Sequence, residues 1–206
     1  MKGYTAGAHP PQRRPRPTVV AALVLGAALA CDGNAAYQPY SAPEFTHAQA
    51  SDWINSKPLT LAGLRGKVVL VEFWAFDCVN CVNSEPWVKA IARDKTGSGL
   101  VVVGVHTPEL REEQFADSVR SAVKRLGIFW PVMMDADHSY WNALHNQYWP
   151  EFYVIGPDGM VDARVPGELH VGGERARLVE ELIDRLLAAS AAKSGASIRR
   201  PAAPAS

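Results

Sequence analysis

The sequence predicts an α/β fold, a mixed central sheet with helices on both faces. Three observations carry that prediction. The runs Val68–Trp74 and Leu100–Val105 are almost unbroken apolar stretches rich in β-branched residues, the pattern of strands buried on both faces of a covered sheet. Each is followed by a stretch with apolar residues at helical spacing, which makes two β-α units. Gly156-Pro157-Asp158-Gly159 then separates two short apolar segments as a hairpin turn, and the chain closes on a helical stripe. Parallel β-α units, a hairpin and a closing helix together describe such a layered sheet.

The elements follow in order. Gly63 and Gly66 punctuate the approach to the first central strand. A helix is expected after Cys81 to about Lys95, with Trp87, Val88 and Ile91 on one side. A second runs over about Glu109–Leu126, with Phe115, Val119, Ala122 and Leu126 at helical spacing. Thr107-Pro108 starts it, a capping hydroxyl followed by a proline in the first turn. Phe129–Met134 is a third strand candidate, interrupted by Pro131. Phe152–Ile155 and Val161–Val165 flank the turn as antiparallel strands. The last helix covers Glu174–Leu187, where Leu178, Val179, Leu182, Ile183, Leu186 and Leu187 form one stripe.

The 206 residues suffice for one ordinary domain, and a 48% hydrophobic fraction is globular. Thr18–Ala30 is an apolar run behind three arginines that ends in Ala28-Leu29-Ala30, the parts of a secretory signal. It is shorter than the roughly 20 residues of a membrane span; an uncleaved N-terminal anchor is the alternative for residues 1–30. Cys31 follows directly and is a candidate lipid anchor, although Ala28 holds the place where lipoprotein signals usually carry leucine. Either route puts the domain outside the cytoplasm, in a periplasm or cell envelope, where disulfides persist. Residues 31–43 read as a linker, 44–189 as the folded domain, and 190–206, small, basic and proline-bearing, as a disordered tail. The 21 basic and 21 acidic residues cancel over the chain, but both ends are basic and the body is acidic. An acidic body argues against a nucleic-acid groove.

Cys78-Val79-Asn80-Cys81 lies between the first central strand and its helix. Two cysteines three apart at a helix start close a small disulfide with little backbone movement. The free amides of the helix N-terminus stabilise a thiolate on the first, Cys78, which makes it nucleophile and leaving group. Cys81, one turn in, is the resolving thiol. A zinc site needs four ligands, and the sequence has no second C-x-x-C or H-x-x-x-H pair, so no metal is expected.

Glu72-Phe73-Trp74-Ala75, two further residues, Cys78-x-x-Cys81 and then Pro86 resemble the thioredoxin active-site segment. The approach Leu61-Ala62-Gly63-Leu64-Arg65-Gly66-Lys67-Val68-Val69-Leu70 is similar to the extracytoplasmic TlpA-like branch of thiol–disulfide oxidoreductases. Gly104-Val105-His106-Thr107-Pro108-Glu109 and Asn146-Gln147-Tyr148-Trp149-Pro150 resemble the thioredoxin-like module of the DipZ family. The resemblance covers about residues 55–165. It implies a thioredoxin-like three-layer sandwich with the TlpA-type insertion. It also implies a thiol–disulfide oxidoreductase acting on protein clients through a redox-active Cys78–Cys81 disulfide, without a bound cofactor. Proteins of the DipZ type carry a membrane electron-transfer domain before this module, so a separate membrane electron donor is expected as partner.

Individual residues acquire roles in this frame. Glu72 is a carboxylate within an apolar strand; desolvation raises its pKa and suits it to accept the Cys81 proton. Pro150 is expected in cis, facing the disulfide, by resemblance. Trp74, Val79, Asn80 and Trp149 are candidate client contacts, and Trp141 and Tyr148 serve the same groove or the core. Asp77 replaces the tryptophan of the thioredoxin motif, and a carboxylate there opposes the helix dipole and moderates the Cys78 thiolate. His106 ends the second central strand, where open α/β sheets place their sites. It tunes the thiols, joins them in binding a metal, or is a capping or surface histidine. Two other functions compete. A copper- or haem-maturation protein would bind metal through Cys78, Cys81 and His106 or His170. A peroxiredoxin-type peroxidase needs a hydroxyl residue and a proline where Ala75 and Val71 stand.

Overall fold

The computed structural model describes residues 38–198. In chain order it contains β1 (Tyr40–Ser41), β2 (Trp53–Ile54), β3 (Val68–Trp74), α1 (Val79–Lys95), β4 (Leu100–His106), α2 (Ala116–Leu126), β5 (Val132–Met134), α3 (Ser139–Ala143), β6 (Glu151–Ile155), β7 (Met160–Pro166) and α4 (Glu174–Ile198). One sheet runs in the order β1-β7-β6-β3-β4-β5-β2. β3, β4 and β5 are parallel, and β6, β7 and both edge strands join antiparallel. This is the mixed sheet that the two apolar runs and the hairpin predict.

β3 lies at the centre, and all seven of its residues are buried. Side chains alternate across a strand. Leu70 and Trp74 therefore pack with α1, α2 and α4 through Trp87, Val88, Val119, Val179 and Ile183. Val69, Val71 and Phe73 pack on the other face with Phe45, Trp53, Tyr140 and Leu144. The hairpin turn closes through Gly159 N–H to Gly156 O at 2.8 Å, with Gly159 at φ 77°. That left-handed backbone favours glycine. The approach to β3 is tied to the same turn by Gly66 N–H to Pro157 O at 2.8 Å.

Several elements differ from expectation. The helix expected over Glu109–Leu126 is broken: Arg111–Gln114 forms a 3₁₀ turn, Phe115 is extended, and α2 begins only at Ala116. The cause is Glu113, whose buried carboxylate takes the amides of Glu109 and Leu110 at 2.7 and 2.9 Å. Phe115, expected on the apolar face, is 60% exposed. The strand expected over Phe129–Met134 shortens to β5, because Pro131 offers no amide to a ladder. The linker is not wholly outside the fold, since Tyr40 and Ser41 pair with Val161 and Met160 at the sheet edge. α4 continues past Leu187 to Ile198, into the segment expected to be a disordered tail. Its extension is rich in alanine, the best helix former, and meets no proline before Pro201. Ser190 Oγ bonds Gly66 O at 2.7 Å and fastens this extension to the start of β3. The signal or anchor segment, Cys31 and residues 199–206 lie outside the described residues. Among those described, no helix is long and apolar enough to cross a membrane.

Ile183 of α4 is fully buried against the sheet. Ile183→Ala is expected to lower the unfolding free energy by about 2–5 kcal/mol through lost transfer energy and a residual cavity. Urea denaturation followed by tryptophan fluorescence measures this.

Candidate active site

The chain leaves β3 at Trp74 and reaches the first turn of α1 four residues later. Cys78 is the N-cap of α1: its backbone is extended at φ −77°, ψ 107°, and its Sγ accepts the amide of Cys81 at 3.2 Å. A sulfur thus occupies the place where Ser or Asp oxygens usually cap a helix, and the helix end favours negative charge there. Cys78 and Cys81 are joined by a disulfide, with Cα atoms 5.3 Å apart. Cys78 is 7% exposed and Cys81 2%. Val79 and Asn80 between them are exposed, Val79 to 70%. Pro86 lies inside α1.

Glu72 is on the same face of β3 as Leu70 and Trp74, beneath α1. It is 1% exposed, and neither carboxylate oxygen has a hydrogen-bond partner among the described residues. Burial first, and the carboxylate of Glu85 second, hold its pKa well above the usual carboxylate range, while Lys89 opposes the shift. Glu85 of α1 is buried as well. Desolvation pushes it up to about 7 against the pull of Lys89, whose Nζ lies 3.7 Å from its Oε2. Sequence reading found Glu72 but missed Glu85. The available signal was its spacing, one helical turn after Cys81 and one before Lys89.

Asp77 is exposed, and its amide donates to Glu113 Oε1 at 3.0 Å. Glu113 therefore holds three backbone amides, those of Asp77, Glu109 and Leu110, and fixes the loop that enters the C-x-x-C. This role was not read from the sequence, where Glu113 is one acid among several on an expected helix.

His106 is neither a surface nor a capping residue. It is 1% exposed, because β4 runs centrally between β3 and β5, and His106 pairs in register with Trp74 and Met134. Its ring meets Trp74 edge-on at 4.9 Å and stacks on Phe76 at 5.6 Å. Burial lowers its pKa from 6.5 to about 4, so it is neutral at physiological pH. Trp74, expected at the client surface, is instead buried at 1% exposure, as a central-strand residue must be. Its indole Nε1 is packed against Gly104, where an added Cβ would lie 3.0 Å away. His170 is exposed and paired with Glu168 at 2.9 Å.

The Trp149–Pro150 peptide bond is cis, and β6 begins at the next residue. Three contacts hold this corner. Trp149 Nε1 donates to Thr107 O at 2.9 Å, its ring lies 4.1 Å from that of Trp141, and Gly167 N–H donates to Pro150 O at 2.8 Å. The fully buried Asp135 carboxylate organises the surroundings by accepting from Thr107 Oγ1, Tyr140 N and Trp141 N at 2.9–3.0 Å. His47 lies 3.3 Å from Asp135 and 3.2 Å from Asp137. Tyr148 is 52% exposed.

A paired-cysteine centre at a helix start, over a buried carboxylate and in this mixed sheet, defines a thioredoxin-like protein. Residues 40–182 match the Redoxin family, and the chain belongs to it. It is 36% identical over 152 residues to Protein DipZ of Mycobacterium tuberculosis, a match covering 72% of this chain and 21% of that protein. The chain thus spans about a fifth of the length of that relative. Thiol-disulfide oxidoreductase YkuV of Bacillus subtilis is 28% identical over 146 residues, covering 71% of this chain and 93% of YkuV. Among solved structures, the thioredoxin-like superfamily protein SPOA0173 superposes with a TM-score of 0.63 at 28% identity, over 71% of this chain and 96% of the other.

The buried acids set a pH dependence of stability. Glu85 has a folded pKa of about 7 against 4.5 as the ordinary value. Between those values the folded state binds more protons than the unfolded state, so stability falls as pH rises through that window. Glu85→Gln removes this contribution. The variant is expected to gain stability over wild type between pH 5 and pH 8, by on the order of 2 kcal/mol. Urea titrations of both proteins at the two pH values measure the difference. His106 acts oppositely between about pH 4 and 6.5 in both proteins, and so cancels in the comparison.

Proposed function

We propose that the chain is a thiol–disulfide oxidoreductase that exchanges its Cys78–Cys81 pair with disulfides of protein clients outside the cytoplasm. One observation carries the reading: a disulfide at the start of α1, whose first sulfur accepts a helix amide and whose second shares a buried helix face with Glu85, the neighbour of the buried Glu72 carboxylate.

In the reducing direction the Cys78 thiolate attacks one sulfur of a client disulfide. The bond Cys78–S–S–client forms, and the other client sulfur leaves as a thiolate. Cys81 gives its proton to Glu72 and attacks the Cys78 sulfur. The Cys78–Cys81 disulfide forms, the second client thiolate leaves, and the client thiolates take protons from water. Two electrons pass from the pair to the client. The same steps reversed oxidise a client dithiol, and the partners' potentials set the direction. The disulfide itself stores the electrons, so the reaction asks for no bound cofactor. Electrons reach the pair from a donor for which we infer a membrane protein. The exposed Val79 and Asn80 and the Trp149–Pro150 corner form the client surface in this reading. The apolar segment Thr18–Ala30, with Cys31 after it, supports export and attachment to the envelope.

Cys78→Ser is expected to abolish reduction of a disulfide-bonded client, and Cys81→Ser to accumulate the mixed disulfide through Cys78, read by non-reducing mass spectrometry. Glu72→Gln is expected to slow the second step about a hundredfold, the typical loss on removing a general base. Alkylation of the reduced protein that labelled Cys81 before Cys78 at neutral pH would reverse the two roles.

A further inference from the structure

Cys81, Glu85 and Lys89 stand four residues apart on α1, so all three share one face of the helix, each about one turn from the next. Exposure grows along that line. Cys81 is 2% exposed and Glu85 4%, while the Lys89 side chain reaches 25%. Glu72 lies on the face of β3 that packs against this helix, with Glu85 and Lys89 as its charged neighbours. Both of its oxygens, and Oε2 of Glu85, lack hydrogen-bond partners among the described residues. The remaining surroundings carry little charge. The strand neighbours of Glu72 are Gly104 and Phe152, the end of α2 offers the Leu126 carbonyl, and Glu180 of α4 is engaged by Trp87 Nε1 at 2.7 Å. Lys89 Nζ is held by that Leu126 carbonyl at 2.5 Å and lies beside Glu85.

An ordinary i, i+4 ion pair on a solvated face needs no second carboxylate below it. Burying two acids with unmet oxygens is destabilising, which calls for a compensating role. Glu72 has another problem that Glu85 solves. A base that takes the Cys81 proton must first be ionised and must later release the proton, yet Glu72 itself scarcely touches solvent.

We propose that Glu85, set by Lys89, is the positioning residue that carries the proton of Glu72 between the buried face of α1 and solvent. This deepens the thiol–disulfide reading and rests on it. In the resolving step the Cys81 S–H bond breaks and its proton passes to Glu72. The Cys81–Cys78 bond forms as the Cys78–client bond breaks. The proton then moves from Glu72 to the ionised Glu85, and from there to water past Lys89. No electrons cross the carboxylates.

The test uses the reduced full chain and 5,5′-dithiobis(2-nitrobenzoate) in stopped flow. Attack by Cys78 releases the first thionitrobenzoate, and attack by Cys81 on the mixed disulfide releases the second. The leaving group needs no proton, so the second phase isolates loss of the Cys81 proton. For Glu85→Gln the ratio of second- to first-phase rate constants at pH 7 is expected to fall about tenfold, less than the roughly hundredfold loss on removing the base itself. The pH midpoint of the second phase should move to lower pH, as Glu72 loses its like-charged neighbour. Glu85→Asp should restore part of the rate. Lys89→Met should move the midpoint to higher pH. A ratio and midpoint unchanged in Glu85→Gln would overturn the relay, while leaving the parent reading intact if wild type still shows two phases and Glu72→Gln slows the second. Absence of a second phase in wild type would overturn the parent reading, and the relay with it.

Discussion

Burial of β3 on both faces is the constraint on which the rest of the structure depends. A strand with seven buried residues needs a partner layer on each side, and α1 is part of the layer over Leu70, Glu72 and Trp74. The short link from Trp74 to Cys78 brings the N-terminus of α1 to the carboxyl end of β3. The amide of Cys81 then meets the sulfur of Cys78 and nothing has to be added to create the site. The same packing seals Glu72. Were β3 an edge strand, Glu72 would be a solvated acid and the two cysteines a loop disulfide.

The electrostatics divide into two zones. At the helix end, the Cys81 amide and the helix dipole favour negative charge on Cys78. Beneath the helix, desolvation dominates, and Glu72 and Glu85 are both pushed towards holding protons. His106, on the neighbouring strand, is driven the other way by the same burial and stays neutral. It therefore contributes a ring against Trp74 and Phe76 rather than a charge. Charge is thus tolerated on the first sulfur, and proton storage is placed beside the second.

The sheet core was legible in the sequence because its signal is local. Nearly unbroken apolar runs rich in β-branched residues at 68–74 and 100–105, the Gly-Pro turn and the stripe of the last helix each identify themselves within a short window. The C-x-x-C and its acid six residues earlier were equally local. What failed depended on side chains reaching far along the chain. Glu113 bonds the amide of Asp77, 36 residues away, and that contact, with its bonds to Glu109 and Leu110, converts an expected helix into a 3₁₀ turn and an extended Phe115. Trp74 stands beside the cysteines in the motif, which suggests a surface contact, although its place in β3 implies burial. Glu85 escaped notice because an acid in a helix is unremarkable until the opposing strand is known. The edge strands β1 and β2, two residues each, are too short to leave a period.

Two buried acids destabilise this fold, and they do so most where a thiolate chemistry operates, at neutral pH and above. The structure meets that penalty with apolar area rather than with counter-charges: among the described residues Lys89 is the cation placed against them, and it sits on the Glu85 side. A buried cation directly on Glu72 would have solved the stability problem and ended its usefulness, because a carboxylate held ionised by a close partner is a weak base. Leaving Glu72 unpaired makes it a strong base once it is ionised. The large cores on both faces of β3, set by Trp87 and Phe152 on one side and Phe73 and Tyr140 on the other, are what hold that unpaired acid in place.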